Sequence, residues 1–280
     1  MDRAARILKY ARYGNLGVVA SNHLRTMRGA PLRLMKHPMP NPGHSSTRRI
    51  NKLVEALPGE VRYLEIGLYN GTTFQNVRAP SRYGVDPDPL FEILSLPAGV
   101  HITVGTSDEF FAGLDSEVEF DVVYLDGLHT FRQTYRDLIN ACRRCRYGVI
   151  LLDDVVPVDE VSAIPDFDNS LREYRRLGLT RPSQWQGDVF RTILCLQAYH
   201  PELQYRTIIS DGAPQSLVWL RDPATDVRSV DDTRLDQLEA IGFADVFSDG
   251  VPESFNPRLE SDAINEAVAD CPNRSEFATS

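Results

Sequence analysis

The chain has 280 residues, 42% hydrophobic and 25% charged, enough for one domain of about 200 residues or more with additions at its ends. No stretch approaches the roughly 18 to 20 apolar residues of a membrane span, and the N-terminus lacks the apolar run of a secretory signal, so a cytoplasmic protein is expected. The net charge of −9, with no aromatics interleaved among the basic residues, argues against a nucleic-acid partner.

The charge is unevenly spread. Through Lys36 the basic residues are Arg3, Arg6, Lys9, Arg12, Arg25, Arg28, Arg33 and Lys36 against Asp2 alone, whereas from Asp222 onward fourteen acids face four arginines. Such an arm and tail are either solvated, or packed on each other or on a second subunit, or the arm meets an anionic partner such as a membrane surface or a phosphorylated substrate. A homodimer or higher homo-oligomer is the expectation. Cys142 and Cys145 have zinc-like spacing but no second pair to complete four ligands, so they read as packing residues.

In chain order, helix-like pieces cover 4–13 and 16–27, and the three prolines of 38–43 make a linker. Residues 45–57 form an amphipathic helix with Ile50, Leu53, Val54 and Leu57 on one face. Strands follow at 61–66, 82–86, 100–104, 120–125 and 148–152, alternating with helices, a pattern that implies a parallel sheet covered on both faces. The helix after the fourth strand is marked by Phe131, Tyr135, Leu138, Ile139 and Cys142 at helical spacing. Residues 205–209 and 217–220 flank the turn Asp211-Gly212 as a hairpin, and further helices are expected at 233–241 and 258–268. The division is thus a basic arm over 1–43, a central α/β domain over 44–221 and an acidic extension over 222–280.

The first strand runs into Glu65-x-Gly67-x-x-x-Gly71, a strand-to-helix turn whose glycines let a ligand approach the backbone. About twenty residues on, the second strand ends in Asp86, placed to accept hydrogen bonds from the ribose hydroxyls of a nucleoside. The fourth strand ends in Asp126 and the fifth in Asp153-Asp154. Neighbouring strands lie about 4.8 Å apart, so these three acids can converge, and a hard divalent cation such as Mg²⁺ would relieve their repulsion. The alternative for each is a loop acid or a helix cap. His129, one turn after Asp126 if a helix starts there, is either a general base for a hydroxyl held by the metal or a structural helix-start histidine. Trp185 and Asp188 are acceptor-pocket candidates, the indole for a sugar face and the carboxylate for its hydroxyls; a core tryptophan and a helix cap are the alternatives.

Taken together, Glu65-x-Gly67-x-x-x-Gly71 and Asp86 resemble the first two motifs of the class I S-adenosylmethionine-dependent methyltransferases. The run 121–131 with Tyr135-Arg136-Asp137-Leu138 and Gly148 to Asp154 is similar to a metal-dependent subgroup that includes macrolide sugar O-methyltransferases and cephalosporin-hydroxylase-like proteins. The resemblance covers about 45–221, with Phe131 where the subgroup usually has tyrosine. It implies a Rossmann-like α/β fold with a seven-stranded sheet, parallel with one antiparallel strand. It also implies S-adenosylmethionine bound by Glu65, Gly67, Asn70, Gly71, Thr72, Asp86, Gly105 and Ser107. Mg²⁺ would sit on Asp126, Asp153 and Asp154, with His129 as base and a small-molecule or oligosaccharide acceptor. No Asn-Pro-Pro-Tyr-type motif lies near the fourth strand, which argues against amino-group methylation of DNA or protein. A sugar hydroxyl is favoured and a catechol-like phenol comes second. The rival of another kind is a non-catalytic protein that keeps the fold for assembly.

Overall fold

The computed structural model describes residues 44–91, 96–178, 185–272 and 274. The basic arm and the helices expected within it lie outside them.

The strands are β1 (Arg62–Ile66), β2 (Ser81–Asp86), β3 (Val100–Val104), β4 (Val122–Leu125), β5 (Val149–Leu152), β6 (Leu203–Ile208), β7 (Gln215–Leu220) and β8 (Pro257–Arg258). They form one sheet in the order β3-β2-β1-β4-β5-β7-β6-β8. The expected sheet of seven gains an eighth strand because Pro257 and Arg258 pair with Thr207 and Ile208 of β6 in parallel. β7 runs antiparallel to both β5 and β6, as the hairpin predicts.

Parallel register does the positioning. Ile66 pairs with Val85 and with Leu125, and Leu125 pairs with Leu152. The ladder continues past the strand ends: Gly67 N–H donates to Val85 O at 2.9 Å, Asp126 N–H to Ile66 O at 2.9 Å, and Asp153 N–H to Leu125 O at 3.0 Å. Asp86, Gly67, Asp126 and Asp153 therefore stand in one row along the carboxyl end of the sheet, where open α/β sheets bind ligands.

Both faces are buried, so the central strands read as continuous apolar runs. One face is covered by α1 (Ser45–Ala56), through Ile50 and Leu53, by α2 (Thr72–Asn76), and by the last helix, through Ala263 and Ile264. The other is covered by α3 (Ser107–Gly113), α4 (Phe131–Arg144) and, past α5 (Phe167–Arg176), by α6 (Phe190–Tyr199). Along β4, Val122 and Tyr124 face α1 while Val123 and Leu125 face α4; Asp126 and Asp153 continue the α1-side parity.

After β7 the chain adds α7 (Asp232–Glu239), α8 (Phe243–Phe247) and α9 (Glu260–Asp270). Some acids of this segment pair with basic residues earlier in the chain. Arg132 meets Asp232, Asp236 and Glu239, and the Glu260 carboxylate takes Arg48, Arg49 and Lys52 together. Cys142 and Cys145 are free and buried, in agreement with packing roles. Among the described residues no helix is long and apolar enough to cross a membrane.

Candidate active site

The glycine turn lies against the end of β4. Gly67 has φ 92°, and a Cβ there would stand 1.9 Å from the carbonyl oxygen of Asp126, so close approach of the two strand ends requires glycine. Gly71, at φ 72°, precedes α2. That helix is a single short segment, and the Thr72 N–H and Oγ both donate to Asn70 Oδ1, at 3.0 and 2.7 Å. Asp86 holds the turn from the next strand, its Oδ2 accepting from Tyr69 N–H at 2.8 Å and its Oδ1 from Asp88 N–H at 2.7 Å. Glu65 is buried beneath the turn and accepts the Tyr63 hydroxyl at 2.6 Å; burial raises its proton affinity well above the usual carboxylate range. Gly105 donates its N–H to Asp86 O at 3.2 Å. Ser107 opens α3 but turns inward, its Oγ accepting from Gln133 Nε2 at 3.1 Å. Gln133 also donates to Asp137, a buried acid on α4 that desolvation pushes up to about 6.

One strand over, Asp126, His129 and Asp154 each present a ligand atom, all within 4.8 Å of one another. The imidazole lies between the two acids, Nε2 at 3.3 Å from Asp126 and Nδ1 at 2.6 Å from Asp154. The expected helical turn between Asp126 and His129 does not form. α4 begins only at Phe131, and His129 sits in the preceding loop at φ 58°. Asp154 is left-handed too, at φ 57°, which swings its side chain toward the histidine. The structure groups Asp126 and Asp154 with His129, whereas Asp153 of the expected trio is turned to the Tyr124 hydroxyl and to the Asp154 N–H, the latter at 2.8 Å.

The electrostatics are those of acids crowded without enough countercharge. Burial, then the charges of Asp154 and Asp126, push Asp153 up to about 8. Burial works against a charged His129, but Asp154 and Asp126 outweigh it and raise its proton affinity well above that of free imidazole. The void between Asp126, Gly127, His129, Asp153 and Asp154, closed by Leu125, Thr134 and Val189, is about 10 Å³, the lower limit of room for one water or one ion. Oxygen donors, an imidazole, mutual repulsion and an ion-sized void fit a divalent cation.

Trp185 stacks on His129, with ring centroids 5.0 Å apart and planes 18° from parallel, and donates Nε1–H to Ile164 O at 2.6 Å. The loop can lie this close because Gly187, at φ 65°, would otherwise place a Cβ 1.7 Å from the His129 carbonyl oxygen. Asp188 is not open to an acceptor. Its Oδ1 takes the N–H of Phe131 at 2.7 Å, capping α4 from a distant loop, and its Oδ2 pairs with Arg191. The sequence reading missed Tyr124, whose hydroxyl lies between Asp126, Asp153 and Ser46 of α1. A tyrosine two residues before Asp126 in an apolar strand must point to the same face as that acid, which is the signal that could have found it.

Residues 64–155 match the family profile of a methyltransferase domain. No curated protein matches the chain. Among solved structures, the chain is similar to a Klebsiella pneumoniae protein assigned as an O-methyltransferase (18% identity, 72% of this chain and 87% of that one, TM-score 0.46). It is also similar to a Staphylococcus aureus protein assigned as a caffeoyl-CoA O-methyltransferase (12%, 77% and 98%, TM-score 0.40). A third is an amino pentose methyltransferase from Micromonospora echinaspora, solved with S-adenosylmethionine bound (20%, 40% and 50%, TM-score 0.31). These likenesses are loose, and the assignment rests on the profile match. Residues 64–155 thus form a methyltransferase domain, and the reading of the chain as an enzyme rests on it.

Proposed function

We propose that the chain is a Mg²⁺-dependent O-methyltransferase acting on a sugar hydroxyl of a glycoside, a polysaccharide precursor or a glycosylated natural product. The observation that carries this reading is the convergence of Asp126, His129 and Asp154 on one ion-sized void, one strand away from the glycine turn. S-adenosylmethionine is assigned to the row from Glu65 to Thr72, with Asp86 on the ribose and Gly105 and Ser107 near the adenine. Asp126 and Asp154, with Asp153 behind them, would hold a divalent ion, which supplies the positive charge that makes an acceptor hydroxyl more acidic and offsets the carboxylates now charging His129. His129 takes the hydroxyl proton as the oxygen attacks the methyl carbon, and no covalent enzyme intermediate is required. Trp185, stacked on His129, supplies a flat apolar wall beside the base, suited to the face of a sugar ring. Much of the rate comes from holding the two reactants in line.

The test is methyl transfer from S-adenosylmethionine to a panel of sugars, glycosides and catechols, with Mg²⁺ or with EDTA. The expected result is transfer to a sugar hydroxyl that EDTA abolishes. Transfer that persists in EDTA removes the metal from the reading, and transfer to catechols alone replaces the sugar with a phenol.

A further inference from the structure

We infer that Tyr124 is a positioning residue of the acid cluster, its hydroxyl held between Asp153 and Ser46, with Ser46 tied through Gln215 to Arg49. The inference rests on the cation-dependent reading of that cluster. Its observations are the contacts and the burial of the linked groups.

Arg49 has no exposed surface and can only donate; its Nη1 donates to Gln215 Oε1 at 2.6 Å. That contact sets the amide, so Gln215 Nε2 is free to donate to Ser46 Oγ at 2.7 Å. Ser46 Oγ, which accepts from Gln215, also accepts from the Tyr124 hydroxyl 3.1 Å away. The same hydroxyl meets Asp153 Oδ2, which lies closer than Asp126 Oδ2 at 3.2 Å. Gln215, Ser46 and Tyr124 are all buried.

Asp153 is thereby gripped at both oxygens, Oδ2 by Tyr124 and Oδ1 by the N–H of Asp154 at 2.8 Å. These two contacts fix the plane of its carboxyl group. The other end of the chain is anchored as firmly, since Arg49 also donates to Ser210 O and Ala213 O, both at 2.7 Å, and to Glu260 Oε2 at 2.9 Å. α1, the β6–β7 turn and the C-terminal helix thus converge on one carboxylate of the site.

The experiment uses Mn²⁺ as a paramagnetic stand-in, titrated into the full chain without S-adenosylmethionine or acceptor, with free Mn²⁺ read by electron paramagnetic resonance. Tyr124→Phe keeps the ring and removes the link; it is expected to weaken Mn²⁺ binding by about 10- to 100-fold, as loss of a partner behind a ligand does. Ser46→Ala should weaken it less. The double variant should bind no more weakly than Tyr124→Phe, because the links act in series. A merely structural tyrosine would lower the melting temperature and leave Mn²⁺ affinity alone. Unchanged affinity in a folded Tyr124→Phe protein overturns the inference and leaves the cation reading standing, whereas a wild-type protein that binds no Mn²⁺ removes both. If Tyr124→Phe does not fold, Ser46→Ala decides alone: weaker binding supports the chain and equal binding overturns it.

Discussion

Replacing His129 with alanine is expected to slow methyl transfer by about 10²- to 10⁴-fold, the usual contribution of a positioned base, while leaving S-adenosylmethionine binding unchanged. The ring is fixed on three sides, by Asp154 at 2.6 Å, by Asp126 at 3.3 Å and by the indole of Trp185 at a centroid distance of 5.0 Å. Without a cation the two acids outweigh burial and raise its proton affinity, which disfavours the neutral ring. A base needs the neutral ring, and its fraction rises with pH. Engaging Asp126 and Asp154 with a cation removes the cause of the raised affinity, so the acidic limb of the pH–rate profile should move to lower pH as Mg²⁺ increases. Single-turnover rates across pH, at several Mg²⁺ concentrations, check both statements. An alanine variant with the wild-type rate, or an acidic limb indifferent to Mg²⁺, would assign the proton transfer elsewhere.

The second large effect concerns the fold. Glu260→Ala is expected to destabilise the protein by about 3–5 kcal/mol, because it leaves the Arg49 guanidinium buried without its counter-ion. The Glu260 side chain is 4% exposed and receives Arg48 at 2.7 Å, Arg49 at 2.9 Å and Lys52 at 2.8 Å. Burial alone would raise its pKa, but these three donors outweigh burial and hold the carboxyl at about 2, against an ordinary 4.5. A depressed carboxyl stabilises the fold above the unfolded pKa and loses that contribution as pH falls through the folded one. The wild type should therefore gain about 3 kcal/mol from this group above pH 4.5 and lose it progressively toward pH 2. Urea unfolding of wild type and Glu260→Ala between neutral pH and the acid end of that window measures the difference. A difference under about 1 kcal/mol at neutral pH, in the range of ordinary surface changes, contradicts the role given to this carboxylate.

How much of this was legible in the sequence follows from how far apart the partners lie along the chain. The parallel strands, the hairpin and the helix at Phe131 declare themselves through local period and turn residues, and Asp126 and His129 stand three residues apart. What stayed hidden depends on distant pairing. Asp188 reads as an acceptor ligand until its partner is seen to be the Phe131 N–H, 57 residues away. The Tyr124 hydroxyl meets Asp153 because both side chains point to the face covered by α1, a pairing across two strands that no local pattern marks. The chain through Ser46, Arg49, Gln215 and Glu260 joins residues up to 211 positions apart, and no local pattern marks it. The eighth strand escaped because two residues carry no period. For the acidic C-terminal segment, the contacts of Glu260 with Arg48, Arg49 and Lys52 and of Asp232 with Arg132 join residues 100 or more positions apart, beyond the reach of local pattern.

The central claim is that the turn from Gly67 to Gly71, overlooked by Asp86, holds S-adenosylmethionine. Calorimetric titration of S-adenosylmethionine into the full chain, beside an Asp86→Asn variant, tests it most directly. One saturable site in the wild type, weakened about tenfold or more in Asp86→Asn through loss of charge-assisted hydrogen bonds, is the predicted result. No saturable binding with either Mg²⁺ or EDTA would contradict the claim, leaving the row of strand ends as a fold feature without a cofactor.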